Sequence, residues 1–123
     1  MEESPKRILI IDDDPDIGVM LKMMLDFNGY MTTVTERAEK IKNLITKDHV
    51  DLIILDMLLS GVNGTDICSD LIKDSTTANI PIIMISAHPN ARKLCEAAGA
   101  DCFVAKPFDM YDILSRIKEF VNN

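Results

Sequence analysis

Nothing in this 123-residue sequence spells out a membrane span, a zinc site or a nucleotide cradle. No apolar run approaches the roughly 20 residues that crossing a bilayer needs. The opening "MEESPKR" lacks the apolar segment of a secretory signal. Neither GxGxxG nor GxxxxGK(S/T) occurs, so the glycine-rich phosphate loops of nucleotide-binding α/β enzymes are missing. Cys68, Cys95 and Cys102 are odd in number and fall in no CxxC or Cys/His spacing. They are expected to be reduced and mostly buried thiols, which favours a cytoplasmic setting. Basic residues are scarce: 13 Lys and Arg against 20 Asp and Glu give a net charge of -7. That balance argues against direct nucleic-acid binding, since phosphate contacts need Lys and Arg. It would instead concentrate cations around the molecule. There is no linker, low-complexity stretch or internal repeat, so residues 1–123 are expected to form one domain, without membrane insertion.

What is present is an alternation. Ile8–Ile11, Leu52–Leu55 and Ile82–Ile85 are apolar throughout and β-branched-rich, as strands covered on both faces require. Tyr30–Thr35 is more polar and Thr-rich, which suits an edge strand, and Cys102–Ala105 follows a glycine. Helical patterns fill the gaps. Met110, Ile113, Leu114, Ile117, Phe120 and Val121 make one stripe. Met20, Leu21, Met24 and Leu25 make another, with Pro15 placed for a first helical turn and Gly29 for a C-terminal cap. Ala38–Lys47, Thr65–Lys73 and Ala91–Ala98 supply three more. The face with Leu94, Ala97 and Ala98 is thin, so the fourth helix should pack least tightly. Five βα units in series imply an α/β fold: a parallel sheet with right-handed crossovers and helices on both faces.

A parallel sheet gathers the carboxyl ends of its strands on one rim. Asp12 and Asp13 follow the first strand, Asp56 ends the third, Ser86 ends the fourth, and Lys106 follows the fifth. Each has an ordinary reading alone: acids before a helix are commonly caps, and Asp14 beside Pro15 suits that role. Together, acids after two of the most hydrophobic strands would repel one another unless a positive charge sat between them. A hard divalent cation such as Mg²⁺ fits, with Asp13 and Asp56 as direct ligands and Asp12 assisting through water. A carboxylate can also attack a phosphoryl group to form an aspartyl-phosphate. Lys106 and Ser86 could then serve two of the phosphoryl oxygens, as a point charge and a hydroxyl donor.

These segments resemble the receiver domains of two-component response regulators, along essentially the whole chain. The likeness rests on Asp12–Asp13, "DLIILDMLLSGVNG" around Asp56, "PIIMISA" with Ser86, and "GADCFVAKPF" with Lys106–Pro107. It implies the flavodoxin-like doubly wound (βα)5 fold, with a five-stranded sheet in the order 2-1-3-4-5. It further implies Asp56 as phosphoacceptor, with Mg²⁺, or Mn²⁺ as a substitute, held by Asp12, Asp13, Asp56 and the backbone carbonyl of Leu58. Ser86 would move toward the phosphoryl group, Phe103 would be the switching aromatic, and the Lys106–Pro107 bond would be cis. The phosphoryl donor would be a sensor histidine kinase or a histidine phosphotransfer protein. The response would be a remodelled face of the fourth helix, fifth strand and fifth helix that controls a downstream protein. The chain would be a switch that catalyses only its own phosphorylation and dephosphorylation, with no output domain. It would be a monomer by default, with dimerisation on phosphorylation open to it.

Departures from that pattern are informative. Ser60 stands where the family usually has proline, followed by Gly61, so this loop is expected to be more mobile, while Gly64 keeps the turn glycine. Leu58 is apolar where many members are polar, which suggests that it excludes water; His88, two residues after Ser86, is a candidate for modulating access. The rival of a phosphohydrolase with an aspartate nucleophile commonly places a second Asp two residues on, and that position is Leu58. A phosphorylation-independent interaction module would be expected to have lost some of Asp12, Asp13, Asp56, Ser86 or Lys106, and all are present.

Overall fold

A computed structural model of the chain describes residues 5–59 and 61–121. Five strands form its main sheet: β1 (Arg7–Ile11), β2 (Met31–Thr35), β3 (Leu52–Asp56), β4 (Ile82–Ser86) and β5 (Cys102–Ala105). All pairings are parallel and the order is 2-1-3-4-5, as expected. The helices are α1 (Pro15–Phe27), α2 (Ile41–Lys47, entered through a 3-10 turn at Ala38–Lys40), α3 (Gly64–Lys73), α4 (Ala91–Ala97) and α5 (Met110–Val121). No helix among the described residues is long and apolar enough to cross a membrane.

Strand periodicity sorts the core into two layers. Ile8, Ile10, Leu52, Ile54, Ile83, Ile85 and Val104 point to one face, against Leu21 and Leu25 of α1 and Ile113, Ile117 and Val121 of α5. Leu9, Ile11, Ile53, Leu55, Ile82, Met84 and Phe103 point to the other, against Ile41 of α2, Cys68 and Leu71 of α3, and Ala91 and Cys95 of α4. Successive residues serve opposite layers, which is why the three inner strands had to be apolar without interruption. Each fully buried Leu or Ile is worth about 1.5–3 kcal/mol. β2 lies at the sheet edge and stays half-exposed.

Two helical faces differ from expectation. On α1, Leu21 and Leu25 turn inward, but Met20 is 41% exposed. The inward face runs through Gly18 instead, where an added Cβ would stand 2.9 Å from Val34 Cγ1. That close approach to β2 sets the rotation of the helix and carries Met20 outward. On α4 the buried residues are Ala91 and Cys95, while Leu94 and Ala97 face solvent. Two small side chains four apart seat this helix on the sheet, so its anchorage is slight. The caps follow expectation: Asp14 accepts the Asp16 amide at 3.0 Å, and Gly29 follows α1 with φ +89°. Cys68 and Cys95 are buried and Cys102 is partly so; all three are free thiols.

The loop after β3 holds a feature that residue patterns did not suggest. Leu58–Leu59 pairs antiparallel with Val62–Asn63, and the chain returns to β3 as the Gly64 amide donates to the Met57 carbonyl at 2.7 Å. Ser60 itself lies outside the described residues.

At the amino rim, two aspartates make matching clasps. Asp51, just before β3, donates its amide to the Arg7 carbonyl at 2.8 Å and accepts the Arg7 amide on its carboxylate at 2.9 Å. Asp101, just before β5, does the same to Ile82, at 3.0 and 2.8 Å. At the opposite rim the ladder runs past the strand ends. Asp12 donates its amide to Thr35, Met57 to Ile85 and Lys106 to Ser86, at 3.2, 2.9 and 2.9 Å. The backbone beside each rim side chain is therefore pinned by a neighbouring strand.

Candidate functional site

Four polar or charged residues are buried among those described: Asp12, Asp56, Ser86 and Thr77. Thr77 is satisfied by donating its hydroxyl to the Leu71 carbonyl at 2.6 Å. The other three end strands, or follow one directly, on the same rim. A buried charge without partners is costly, so their convergence calls for compensation.

Part of it comes from Lys106. Its ammonium lies 3.3 Å from Asp12 Oδ2 and donates to Asp56 Oδ2 at 3.2 Å. Asp12 Oδ1 accepts the Asp14 amide at 2.9 Å, and Asp56 Oδ1 accepts the Leu58 amide at 3.3 Å. Asp13 joins them, half-buried: one oxygen from each of Asp12, Asp13 and Asp56 lies within 4.8 Å of the others. Three carboxylates against one ammonium leave the cluster negative. Asp12 Oδ2 is buried, and the Lys106 ammonium at 3.3 Å is the positive charge beside it. An oxygen-rich, dehydrated and under-compensated cluster fits a hard divalent cation.

The charge balance shows in proton affinity. Burial pushes the Asp12 carboxyl up to about 6; the Asp14 amide and Lys106 oppose that rise, and the Asp56 charge adds to it. Burial works against the Lys106 charge, yet Asp12 and Asp56 together hold its titration above the ordinary lysine value. Lys106 therefore stays a fixed positive charge at neutral pH.

The remaining expected residues stand around this centre. Ser86 Oγ accepts the His88 amide at 3.0 Å, so the hydroxyl oxygen serves the turn that follows β4. Phe103 is buried in the layer under α4, with the Arg92 guanidinium 5.2 Å above its ring. The Leu58 side chain is 54% exposed beside the cluster, and the Lys106–Pro107 bond is cis.

One surface escaped the sequence reading. The outward turn of α1 leaves Val19, Met20, Met23 and Phe27 exposed, Met23 at 67% and Phe27 at 91%. A cavity of about 600 Å³ lies along this face. Met20 also lines a second cavity, of about 430 Å³, with Ile17, Lys106, Pro107 and Phe108. The apolar face thus reaches the rim where Lys106 sits. Its signal was present as apolar residues in excess of one stripe, but their direction depended on Gly18.

Residues 8–118 match the model of the response regulator receiver domain. The chain belongs to this receiver family. Among curated relatives, the receiver is 36% identical over 114 residues to the DNA-binding dual master transcriptional regulator RpaA of Synechocystis sp.. That alignment covers 91% of this chain and 47% of the relative. It is 32% identical to the DNA-binding response regulator MtrA of Mycolicibacterium smegmatis, over 96% of this chain and 51% of that one. The receiver therefore spans about half the length of the curated relatives it matches. Among solved structures, the CheY-like response regulator receiver domain protein of Methanospirillum hungatei aligns with TM-score 0.85 and 30% identity. It covers 94% of this chain and 93% of that one. As a receiver, the chain is a regulatory domain of two-component signalling.

Proposed function

We propose that Asp56 is the phosphoacceptor of a phosphorylation-controlled switch. The observation that carries this reading is the placement of Lys106 between two buried carboxylates, Asp12 and Asp56, at 3.3 and 3.2 Å. An Asp56 oxygen attacks phosphorus, and the bond from phosphorus to the donor's imidazole nitrogen breaks. The electron pair stays on that nitrogen, which leaves as histidine. Lys106, now donating to Asp56, passes to a phosphoryl oxygen as one forms beside it. Ser86 gives up the His88 amide and donates its hydroxyl to another. Asp13, Asp56 and the Leu58 carbonyl, with Asp12 assisting, would hold Mg²⁺, or Mn²⁺ in its place, whose charge screens the two negative reactants.

The donor is a histidine kinase or a histidine phosphotransfer protein. The apolar face of α1, continuous with the rim at Met20 and Lys106, offers such a protein a contact surface beside the reacting atoms. Phosphate then biases the face of α4, β5 and α5, through Ser86 and Phe103, and a downstream protein reads the change. The weak anchorage of α4 suits it to that role.

The test is chemical. Incubation with Mg²⁺ and acetyl phosphate, followed by intact-mass measurement, is expected to add one phosphoryl group to the wild type and none to Asp56→Asn. Multiple turnover of a phosphate ester would instead identify a hydrolase and overturn the reading.

A further inference from the structure

The fourth helix begins on weaker terms than its neighbours. α1 and α3 start on side-chain caps, from Asp14 and Asn63, and carry Asp16 and Asp66 in their first turns. Ahead of α4, the Asn90 amide donates to His88 Nδ1 at 3.1 Å, but the Asn90 side chain caps nothing. The first turn of α4 holds no acid; it holds Arg92 and Lys93, where the helix dipole disfavours positive charge. Of its seven residues only Ala91 and Cys95 are buried. Another contact is needed to hold this helix down.

Arg92 supplies it: its guanidinium carbon stands 5.2 Å from the centroid of the Phe103 ring on β5. Glu96 lies one turn further along α4, yet among the described residues Arg92 pairs with no carboxylate and turns to the ring. A guanidinium over an aromatic face is attracted by the ring's quadrupole. Phe103 is 8% exposed, in the same layer as Ala91, Cys95 and Met84. It faces Met84 across the ladder, two residues before Ser86. A switching aromatic would be expected to turn inward as Ser86 moves. Here the ring is already inside, under the arginine, while Ser86 Oγ still accepts the His88 amide at 3.0 Å.

We propose that Arg92 and Phe103 form a latch that holds α4 against β5, and that the switch opens by lifting α4 off a ring that keeps its place. The inference rests on Asp56 being the phosphoacceptor. When Ser86 turns its hydroxyl to a phosphoryl oxygen, it gives up the His88 amide, and the turn from Ala87 to Asn90 loses a tie to β4. The His88 carbonyl accepts the Ala91 amide at 3.1 Å, so Ala91 and Arg92 are the next residues to feel the change. Arg92 leaves the ring, its charge returns to water, and the outer side of Phe103 is uncovered. By linkage, whatever weakens the latch favours the phosphorylated form by the same factor. Arg92 is thus a positioning residue, which acts on the switch through Phe103.

The test is a double-mutant cycle, run without and then with a mimic of the phosphoryl group. Arg92→Gln removes the charge, Arg92→Lys keeps a cation, and Phe103→Leu removes the ring but stays apolar. Without the mimic, hydrogen exchange of the α4 amides is expected to quicken about threefold in Arg92→Gln, the weight of one exposed cation–π contact, and to stay near wild type in Arg92→Lys. In the Phe103→Leu background, Arg92→Gln should bring no further quickening. The helix dipole alone predicts the opposite sign, since removing a cation from the first turn would steady α4. Exchange that slows or does not change in Arg92→Gln, or that quickens equally in both backgrounds, overturns the latch while leaving Asp56 as phosphoacceptor. The second arm adds Mg²⁺ and trifluoroberyllate, which mimics a phosphoryl group on aspartate. Arg92→Gln is expected to bind it about threefold more tightly than wild type, and equal affinity would place the latch outside the switch. With fluorophenylalanine at the four phenylalanine positions, the Phe103 fluorine should become more accessible to solvent on binding, read from its shift between H2O and D2O. Accessibility that falls or stays the same overturns the lifting of α4. Failure of every chain to bind trifluoroberyllate refutes the reading of Asp56, and this proposal with it.

Discussion

Replacing Asp12 by Asn should stabilise the metal-free protein, and the gain should depend on pH in a way the site dictates. Asp12 ends up in a buried cluster that raises its titration from the ordinary 3.8 to about 6. Between those values the folded chain binds a proton that the unfolded chain does not, so stability rises as pH falls through this window. The contribution is fully present below 3.8 and is lost as pH rises through 6. At about 1.4 kcal/mol for each tenfold in proton affinity, it amounts to roughly 3 kcal/mol, of which about 1 kcal/mol is recovered between pH 7 and pH 5. Asn mimics the protonated acid and can keep the bond from the Asp14 amide, so Asp12→Asn has this contribution at every pH. Urea unfolding in the presence of a chelator, at about pH 7 and about pH 5, measures both chains. The advantage of Asp12→Asn is expected to be about 3 kcal/mol at the higher pH and to narrow by about 1 kcal/mol at the lower. With Mg²⁺ in hundredfold excess over its Kd, the wild type should gain about 3 kcal/mol at pH 7, and the trend with pH should reverse, since protons now compete with the ion. A constant gap between the two chains without metal would refute the idea that burial of an uncompensated charge governs this rim.

Two further substitutions probe the loop after Asp56. In Gly64→Ala the new Cβ would meet the Asp56 carbonyl and stand 2.8 Å from Met57 Cα, both rigid backbone. A loss of about 2 kcal/mol or more is expected in thermal or urea unfolding, and near wild-type stability would show that the loop yields easily. Leu58→Asn replaces an exposed apolar side chain beside the cluster by one that can orient water, and should shorten the phosphoryl lifetime severalfold. An unchanged lifetime would show that Leu58 is not the barrier to water.

The inner strands were legible because burial on both faces leaves only apolar residues at Ile8–Ile11, Leu52–Leu55 and Ile82–Ile85. The site was legible for a related reason. Once the strands are parallel, Asp12, Asp56, Ser86 and Lys106 must share a rim, whatever separates them in sequence. The directions of helical side chains were harder to read. Whether Met20 or Gly18 faces β2 depends on how closely α1 can approach Val34, which a periodicity count does not measure. On α4, Ala91 and Cys95 won the inward face over Leu94 and Ala97, a choice made by fit to the sheet rather than by hydrophobicity. The cis bond before Pro107 was reached through the family likeness alone. The imidazole acceptor in the turn after Ser86 depends on a rotamer, and residue type does not carry that information.

The clasps made by Asp51 and Asp101 have a consequence for how such a sheet keeps its alignment. Antiparallel strands take their register from the hairpin between them, but parallel strands are joined by long crossovers that set no length. Here an aspartate placed just before one strand grips both backbone groups of the residue that begins its neighbour, Arg7 in one case and Ile82 in the other. A slip by one residue would break both bonds of a clasp and turn that strand's side chains to the wrong layers. The slip would also carry Asp12 about 3.3 Å along the rim relative to Asp56, more than the whole reach of the Lys106 bridge would tolerate. The Asp51 carboxylate at one end of the molecule thus sets the spacing of Asp12 and Asp56 at the other, and the Asp101 carboxylate sets Lys106 against Ser86.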